Sequence, residues 1–354
     1  MTNKVKNLVN EFLKNSRSFD REISKIDSKH SKIVGDANKK IDDLNINNFR
    51  NWENQNDMGL KYPMTFITKF FLGIKKNIFF NFLIDIINRR IGHVLEYSSM
   101  LDDIEILKSL GAEKIIIENP QDKTPGASKY PLVEGYSVTS RWLRYLYFLN
   151  QINRFNLLKN DEFWLDIGSY YGGLQGLVKK YHPDIRIVMI DFNHQLLRSY
   201  IYLKSIYPDA DHIFPNDISS ISDQSKIPKG AIMYVEIEDF KKLDKFKFNL
   251  TTNFFSFGEM KKDVFDSYMN SKTLKNSDKI YFVNRFFSSP FFEKTYDDPI
   301  NIFDYKLDKE TSYFDIFPIS QFLINSRKIL NRKFFRNFSS EYFEIIFKKI
   351  KQKK

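Results

Sequence analysis

Phe163-Trp164-Leu165-Asp166-Ile167-Gly168-Ser169-Tyr170-Tyr171-Gly172-Gly173 is the stretch that decides the fold of this chain. Its first five residues make the kind of apolar run found in a buried strand. Its glycines then turn the chain into an amphipathic, helix-like segment from Leu174 to Tyr181. The pattern continues downstream. Ile185 to Ile190 is a second apolar run with β-branched residues, and Gln195 to Ile206 a second amphipathic helix. His212 to Pro215 reads as a short third strand, and Phe248 to Phe255 and Lys279 to Val283 extend the series. Alternation of this kind predicts an α/β fold, a Rossmann-like parallel sheet with right-handed crossovers and helices on both faces. No repeat of solenoid length is present.

In an open parallel sheet, ligands bind beyond the carboxyl ends of the strands. Gly168 stands there, where a turn needs torsions that a side chain resists and where a ligand can approach the main chain. Ser169 and Tyr170 continue the loop, and Gly172 and Gly173 open the next helix, whose free N–H groups can receive an anionic group. Asp166 is placed to meet a cationic amino group. Asp191 ends the second strand, about 25 residues on, where a carboxylate accepts hydrogen bonds from ribose hydroxyls. Phe192 beside it can pack on a base, and Asn216 and Asp217 after the third run can read an adenine edge. Plainer roles stay open: tight turns for Gly168 and Gly172, a helix N-cap for Asp191, ordinary turn residues for Asn216 and Asp217. A phosphate-binding P-loop would need Gly-Lys-Ser/Thr, and a dinucleotide fingerprint Gly-x-Gly-x-x-Gly. Neither is present.

Three stretches carry a family resemblance. The first is Leu165-Asp166-Ile167-Gly168-Ser169-Tyr170-Tyr171-Gly172-Gly173-Leu174. The second runs from Phe248 to Met260 and contains Asn253-Phe254-Phe255-Ser256-Phe257-Gly258-Glu259-Met260. The third is Ile280-Tyr281-Phe282-Val283-Asn284-Arg285. Together they resemble the bacterial sugar O-methyltransferases, Rossmann-like enzymes that use S-adenosyl-L-methionine. The likeness covers roughly residues 130 to 290. It implies that Asp166, Gly168 and Gly172 line the cofactor, that Asp191 holds the ribose, that Asn253 sits beside the methyl donor, and that Glu259 lies at the substrate mouth. It further implies a glycan or nucleotide-sugar acceptor. The loop departs from the family at Tyr170, where the family has its middle glycine.

A sugar hydroxyl is a poor nucleophile, so a general base is expected. The chain has no cysteine and five histidines. Glu259 is the first candidate, with bracing of its own helix as its structural alternative. His182 and His212 fall at the wrong end of the strands, which leaves His194 as the histidine on the cofactor side. Asp102-Asp103, Asp297-Asp298 and Glu236-x-Glu238-Asp239 offer oxygen ligands suited to a divalent metal, with solvated surface as the plainer role. No residue is assigned as a metal ligand.

The 354 residues are enough for one to three domains. The expected division is a helical arm over 1–50, a helical accessory region over 51–130 and a Rossmann-like domain over 131–354. In the arm, Leu8, Phe12, Ile23, Ile26, Ile33 and Ile41 recur at loosely helical intervals, broken by Gly35. Such a helix packs on its own domain or forms a homo-oligomer contact. Phe66 to Ile87 is apolar but carries Lys69, Lys75, Lys76 and Asp85, too many charges for a bilayer span. It is expected to be a buried helix, with a membrane-surface helix as the alternative.

The absence of cysteine removes disulfides and thiolate chemistry. With no apolar signal core after Met1, a cytoplasmic location is expected, with peripheral contact at the inner membrane face as an extension. Lys+Arg 55 against Asp+Glu 44 gives a formal charge of +11, which suits an anionic partner. The joint richness in Lys, Asn, Ile, Phe and Tyr is also what AT-rich coding produces. Two rivals to sugar methylation follow. A nucleic-acid methyltransferase fits the charge, but Asn253-Phe254-Phe255-Ser256 lacks the prolines usual in base methylation, so nucleic acid is not the expected partner. A non-catalytic scaffold keeping the fold fits Tyr170.

Overall fold

The computed structural model describes residues 2–16, 44–46, 49–51, 92–127, 132–288, 299–319, 326–329, 332–336 and 342–349. Of the expectations above, Ile23, Ile26, Ile33, Gly35, Ile41, the Phe66 to Ile87 segment and Asp297-Asp298 lie outside these residues. The chain divides into two units. One comprises Met1–Asn54, Gln151–Phe317 and Ser340–Lys354, the other Gln55–Asn150 and Pro318–Ser339.

The first unit holds the sheet. Its strands are β1 (Phe163–Ile167), β2 (Arg186–Asp191), β3 (His212–Ile213), β4 (Ile232–Glu236), β5 (Leu250–Phe254), β6 (Lys279–Arg285), β7 (Glu310–Ile316) and β10 (Tyr342–Lys348). Their order is β3-β4-β2-β1-β5-β6-β10-β7. The first six run parallel, and β10 runs antiparallel between β6 and β7. This is the Rossmann-like α/β sheet expected from the sequence.

The register of β1 on β2 pairs Asp166 with Met189 and Ile167 with Ile190, so the loops after both strands leave the sheet side by side. Alternation along the strands sorts the core. Leu165, Ile167, Val188, Ile190, Met233 and Val235 pack with Phe240, Leu243, Phe257, Phe265, Tyr268 and Leu274. The last three belong to the helices that follow β5. Tyr234 points the other way, its ring 5.7 Å from Tyr200 and 6.0 Å from Phe12.

Of the helices, α1 (Thr2–Lys14) buries Val5, Leu8, Val9 and Phe12. It packs along the helix Asn193–Ile206, and Glu11 accepts a hydrogen bond from the Tyr200 hydroxyl at 2.6 Å. The apolar stripe of the described arm is therefore covered by its own unit.

The short third strand expected at His212 to Pro215 forms over His212–Ile213. His212–Ile213 is only an edge strand, and β4 lies between it and β2. The reason is burial. All five residues of β4 are buried, as an interior strand demands, whereas both residues of β3 remain partly exposed.

The second unit contains the helices α2 (Gly92–Ser109) and α3 (Glu113–Glu118) and most of α4 (Ser140–Arg154). The hairpin of β8 (Ser326–Ile329) and β9 (Arg332–Arg336) also belongs to it. The Trp142 indole donates to the Asn119 carbonyl at 2.7 Å, which fastens α4 to the end of α3. Among the described residues no helix is long and apolar enough to cross a membrane.

Candidate functional site

The loop between β1 and α5 (Gly173–Tyr181) is set by three residues of positive φ: Gly168 at +81°, Tyr170 at +55° and Gly172 at +85°. The Gly168 amide donates to the Ile190 carbonyl at 2.8 Å, and a Cβ at Gly168 would come within 2.8 Å of the Ser256 Cβ. At Gly172 a Cβ would press on Leu203 at 3.2 Å and on the Ser199 main chain at 3.4 Å. Only glycine meets both the torsion and the space at these two positions. Between them Ser169 is 5% exposed, and its hydroxyl has no hydrogen-bond partner among the described residues.

Tyr170 is fixed at several points. Its amide donates to Asp191 Oδ2 at 2.8 Å, and its carbonyl accepts from the Ser199 hydroxyl at 2.5 Å. Its ring lies under the Arg198 guanidinium, 4.6 Å from ring centroid to Cζ, and Arg198 Nη2 donates to its hydroxyl at 3.2 Å. Arg198 stands on α6 (Asn193–Ile206) and is fully buried.

The carboxylates divide by burial. Asp191 is partly exposed, and its second oxygen accepts from the Phe192 amide at 2.8 Å. Asp166 is buried, and its oxygens accept from Thr252 Oγ1 and Gln175 Nε2. Burial pushes its carboxyl up to about 7, against the pull of the Thr252 bond, and the neighbouring Asp191 charge adds to the rise. The structure thus holds Asp166 within the sheet, at the buried base of the loop. Glu236 pairs with Asp191 across β2 and β4 and accepts from Asn193 Nδ2 at 3.0 Å.

After β5 a second turn rises beside the loop. Asn253 is fully buried; its Nδ2 donates to the Ile167 carbonyl at 2.9 Å and to Ser256 Oγ. Its Oδ1 accepts from the Phe257 amide at 3.1 Å and from Asn284 Nδ2 at 3.0 Å. Asn284 Oδ1 in turn accepts from the Gly258 amide at 3.1 Å. The two amides tie the carboxyl ends of β1, β5 and β6 into one rim. Within that turn Phe255 adopts φ +74°, a strained setting for an aromatic residue. Glu259 closes the turn. It is partly exposed, with its Oε1 3.8 Å from Nη2 of the buried Arg285. The Arg285 Nε donates to the Tyr342 hydroxyl at 2.8 Å.

Of the residues singled out in the sequence, Gly168, Ser169, Tyr170, Gly172, Asp191 and Phe192 are brought to the ends of β1 and β2, and Asn253 and Glu259 to the end of β5. Asn216 and Asp217 are not with them. They sit in the short turn Pro215–Asp217 after edge strand β3, where Asp217 caps the Phe214 amide at 3.3 Å and the Asn216 amide donates to the Asn15 carbonyl at 3.2 Å. The segment that follows the strand beside β2 is instead Ile237-Glu238-Asp239, where Asp239 pairs with Lys242 at 2.9 Å.

His194 is buried, its ring stacked 5.8 Å from Phe192. His212 pairs with Ile232 at the amino end of β4, and burial pushes its imidazole down to about 4. Among the described residues no group of three or more His, Asp or Glu is placed to hold a metal ion. Sequence reasoning missed Arg198, Ser199 and Asn284. The helical period of α6 places Gln195, Arg198 and Ser199 on one face, a faint signal for the first two.

The loop offers three features to a ligand. Two glycines let the backbone approach, a buried hydroxyl stands with unmet hydrogen-bonding capacity, and a partly exposed carboxylate ends the next strand. No family model matches the chain, and no curated protein matches it. Solved structures do. An O-methyltransferase family protein from Burkholderia thailandensis is 7% identical, covering 60% of this chain and 58% of its own, with a TM-score of 0.36. The small RNA methyltransferase HEN1 is 11% identical over 60% of this chain and 25% of its own, TM-score 0.35. The methyltransferase domain of bacterial CtHen1 is 13% identical over 58% of this chain and 97% of its own, TM-score 0.33.

Proposed function

We propose that this chain is an S-adenosyl-L-methionine-dependent O-methyltransferase acting on a sugar hydroxyl of a glycan or nucleotide sugar. The supporting observation is the loop from Gly168 to Gly172, where two positive-φ glycines bracket the buried, partnerless Ser169 hydroxyl beside Asp191. When bound, the cofactor supplies a methyl group on a sulfonium. Asp191 accepts hydrogen bonds from the ribose hydroxyls, and Phe192 packs on the base. Ser169 and the first amides of α5 take the amino-acid end. Asn253 shapes the wall beside the methyl group through its bonds to Ile167, Ser256 and Phe257. Glu259 accepts the proton of the acceptor hydroxyl, and Arg285 orients it. Alignment of acceptor and methyl in one line supplies much of the acceleration.

Calorimetry with S-adenosyl-L-methionine and with S-adenosylhomocysteine tests the cofactor. Absence of binding by both would sink the proposal. Transfer of radiolabelled methyl to sugar acceptors, with RNA and DNA in parallel, tests the acceptor. A nucleic-acid substrate is the second candidate, favoured by the formal charge of +11. Binding without turnover on any acceptor would leave a scaffold.

A further inference from the structure

Tyr170 occupies a backbone setting that favours glycine, φ +55°, in the middle of the loop. A side chain there has two consequences. The torsion is strained, and the ring must be stowed somewhere. The surroundings answer both. The main chain is pinned on each side, by Asp191 at the amide and by Ser199 at the carbonyl. The ring is stacked under Arg198 and its hydroxyl hydrogen-bonded to the same guanidinium. Arg198 is itself held: Nε donates to the Phe49 carbonyl at 2.9 Å, Nη1 to Gln195 Oε1 at 2.9 Å, and Nη2 also to the Arg50 carbonyl. A guanidinium with every nitrogen engaged has one position, so the ring it covers has one too.

The geometry points to Arg198 as a positioning residue for the loop. Its guanidinium holds the Tyr170 ring on α6, which keeps the Gly168–Gly172 loop in its ligand-ready torsions despite a tyrosine at the middle position. This rests on the cofactor role proposed for the loop. The Phe49-Arg50 segment takes part, because its two carbonyls orient the guanidinium. Arg50 also lies over the next loop residue, 4.7 Å from the Tyr171 ring centroid.

The test is a cycle of four proteins: wild type, Arg198→Met, Tyr170→Gly and the double variant. Two readouts are taken on each, S-adenosylhomocysteine affinity by calorimetry and amide hydrogen exchange of residues 168–173 without ligand. Arg198→Met is expected to weaken binding at least tenfold and to speed exchange of the Tyr170 amide at least tenfold. In the Tyr170→Gly background, where no ring needs stowing, the same substitution is expected to change each by less than threefold. Equal losses in both backgrounds, or no loss in either, overturn the proposal.

The exchange arm needs no ligand. If wild type fails to bind S-adenosylhomocysteine while exchange shows the expected coupling, the cofactor assignment fails and the clamp stands. The reverse pattern condemns the clamp alone. Should Arg198→Met not fold, Tyr170→Leu decides. It leaves Arg198 and its carbonyl bonds in place but has no ring to stack or hydroxyl to bond. It is expected to bind at least tenfold more weakly than Tyr170→Gly, and equal affinity overturns the proposal.

Discussion

Asp191 accepts the Tyr170 amide on one carboxylate oxygen and the Phe192 amide on the other, and the ribose role proposed for it adds hydrogen bonds from the sugar hydroxyls. Asp191→Ala removes both functions. It should weaken cofactor binding by about 1–3 kcal/mol, and calorimetry that shows unchanged affinity would reduce Asp191 to a helix cap. At Gly168 the penalty is steric as well as torsional, since an added methyl meets Ser256. Gly168→Ala should cost on the order of 2 kcal/mol of stability, measured by urea unfolding, and relief by Ser256→Gly should be partial because the torsional strain stays.

Asp166 makes a prediction in pH. Its carboxyl is raised to about 7 by burial, so between the unfolded value near 3.8 and 7 the folded state binds the extra proton. Stability from this group is therefore full below about pH 4 and is lost as pH rises through 7. The loss is about 4 kcal/mol at most. The Gln175 Oε1 has no partner among the described residues, so a flipped amide can accept from the protonated acid or from an asparagine. Asp166→Asn should flatten the fall in Tm between pH 4 and 8 and raise Tm at pH 8. An unchanged slope would assign that pH dependence elsewhere. Gly168 and Asp191 were legible because a strand end fixes their place. Arg198 and Asn284 were not, because their partners lie far off in the chain and only folding brings them together.

Elements were read well where a strand or helix announces its own period. Phe163 to Ile167 is β1 residue for residue, and the two amphipathic stretches became α5 and α6 with one or two residues added at their starts. The strand that was not read is β4, Ile232–Glu236, and the reason is physical. His212-Ile213-Phe214 and Ile232 to Val235 are both short apolar runs, and nothing local says which of them takes the interior position beside β2. That choice is made by burial on both faces, a property of the assembled sheet. After that interior strand the chain runs into Ile237-Glu238-Asp239, whereas Asn216 and Asp217 follow the edge strand. For α1 the pattern did hold. Phe12 packs on Tyr200, Phe214 and Tyr234 at ring-centroid distances of 5.8, 6.1 and 6.0 Å. Phe12→Ala should cost about 3–5 kcal/mol in urea unfolding, as for a core aromatic, and a loss under 1 kcal/mol would mean that α1 is loosely attached.

At the scale of the molecule, the formal charge of +11 separates the two candidate acceptors. Methyl transfer to a neutral sugar should change little between 50 and 200 mM salt, whereas binding to nucleic acid through several phosphates should fall by orders of magnitude over that range. A steep salt dependence with RNA or DNA and none with sugars would move the assignment. The attachment of α1 bears on what the N-terminal residues cover. The helix lies over Tyr234 and Phe214 and ends by accepting an amide just past the edge strand β3. Without residues 2–16 the rings of Tyr200, Phe214 and Tyr234 would lose the Phe12 ring that packs on them, and the apolar surface so exposed invites association. Light scattering on the shortened chain should then show more self-association than on the full chain. The first sixteen residues would thus act as the molecule's guard against aggregation.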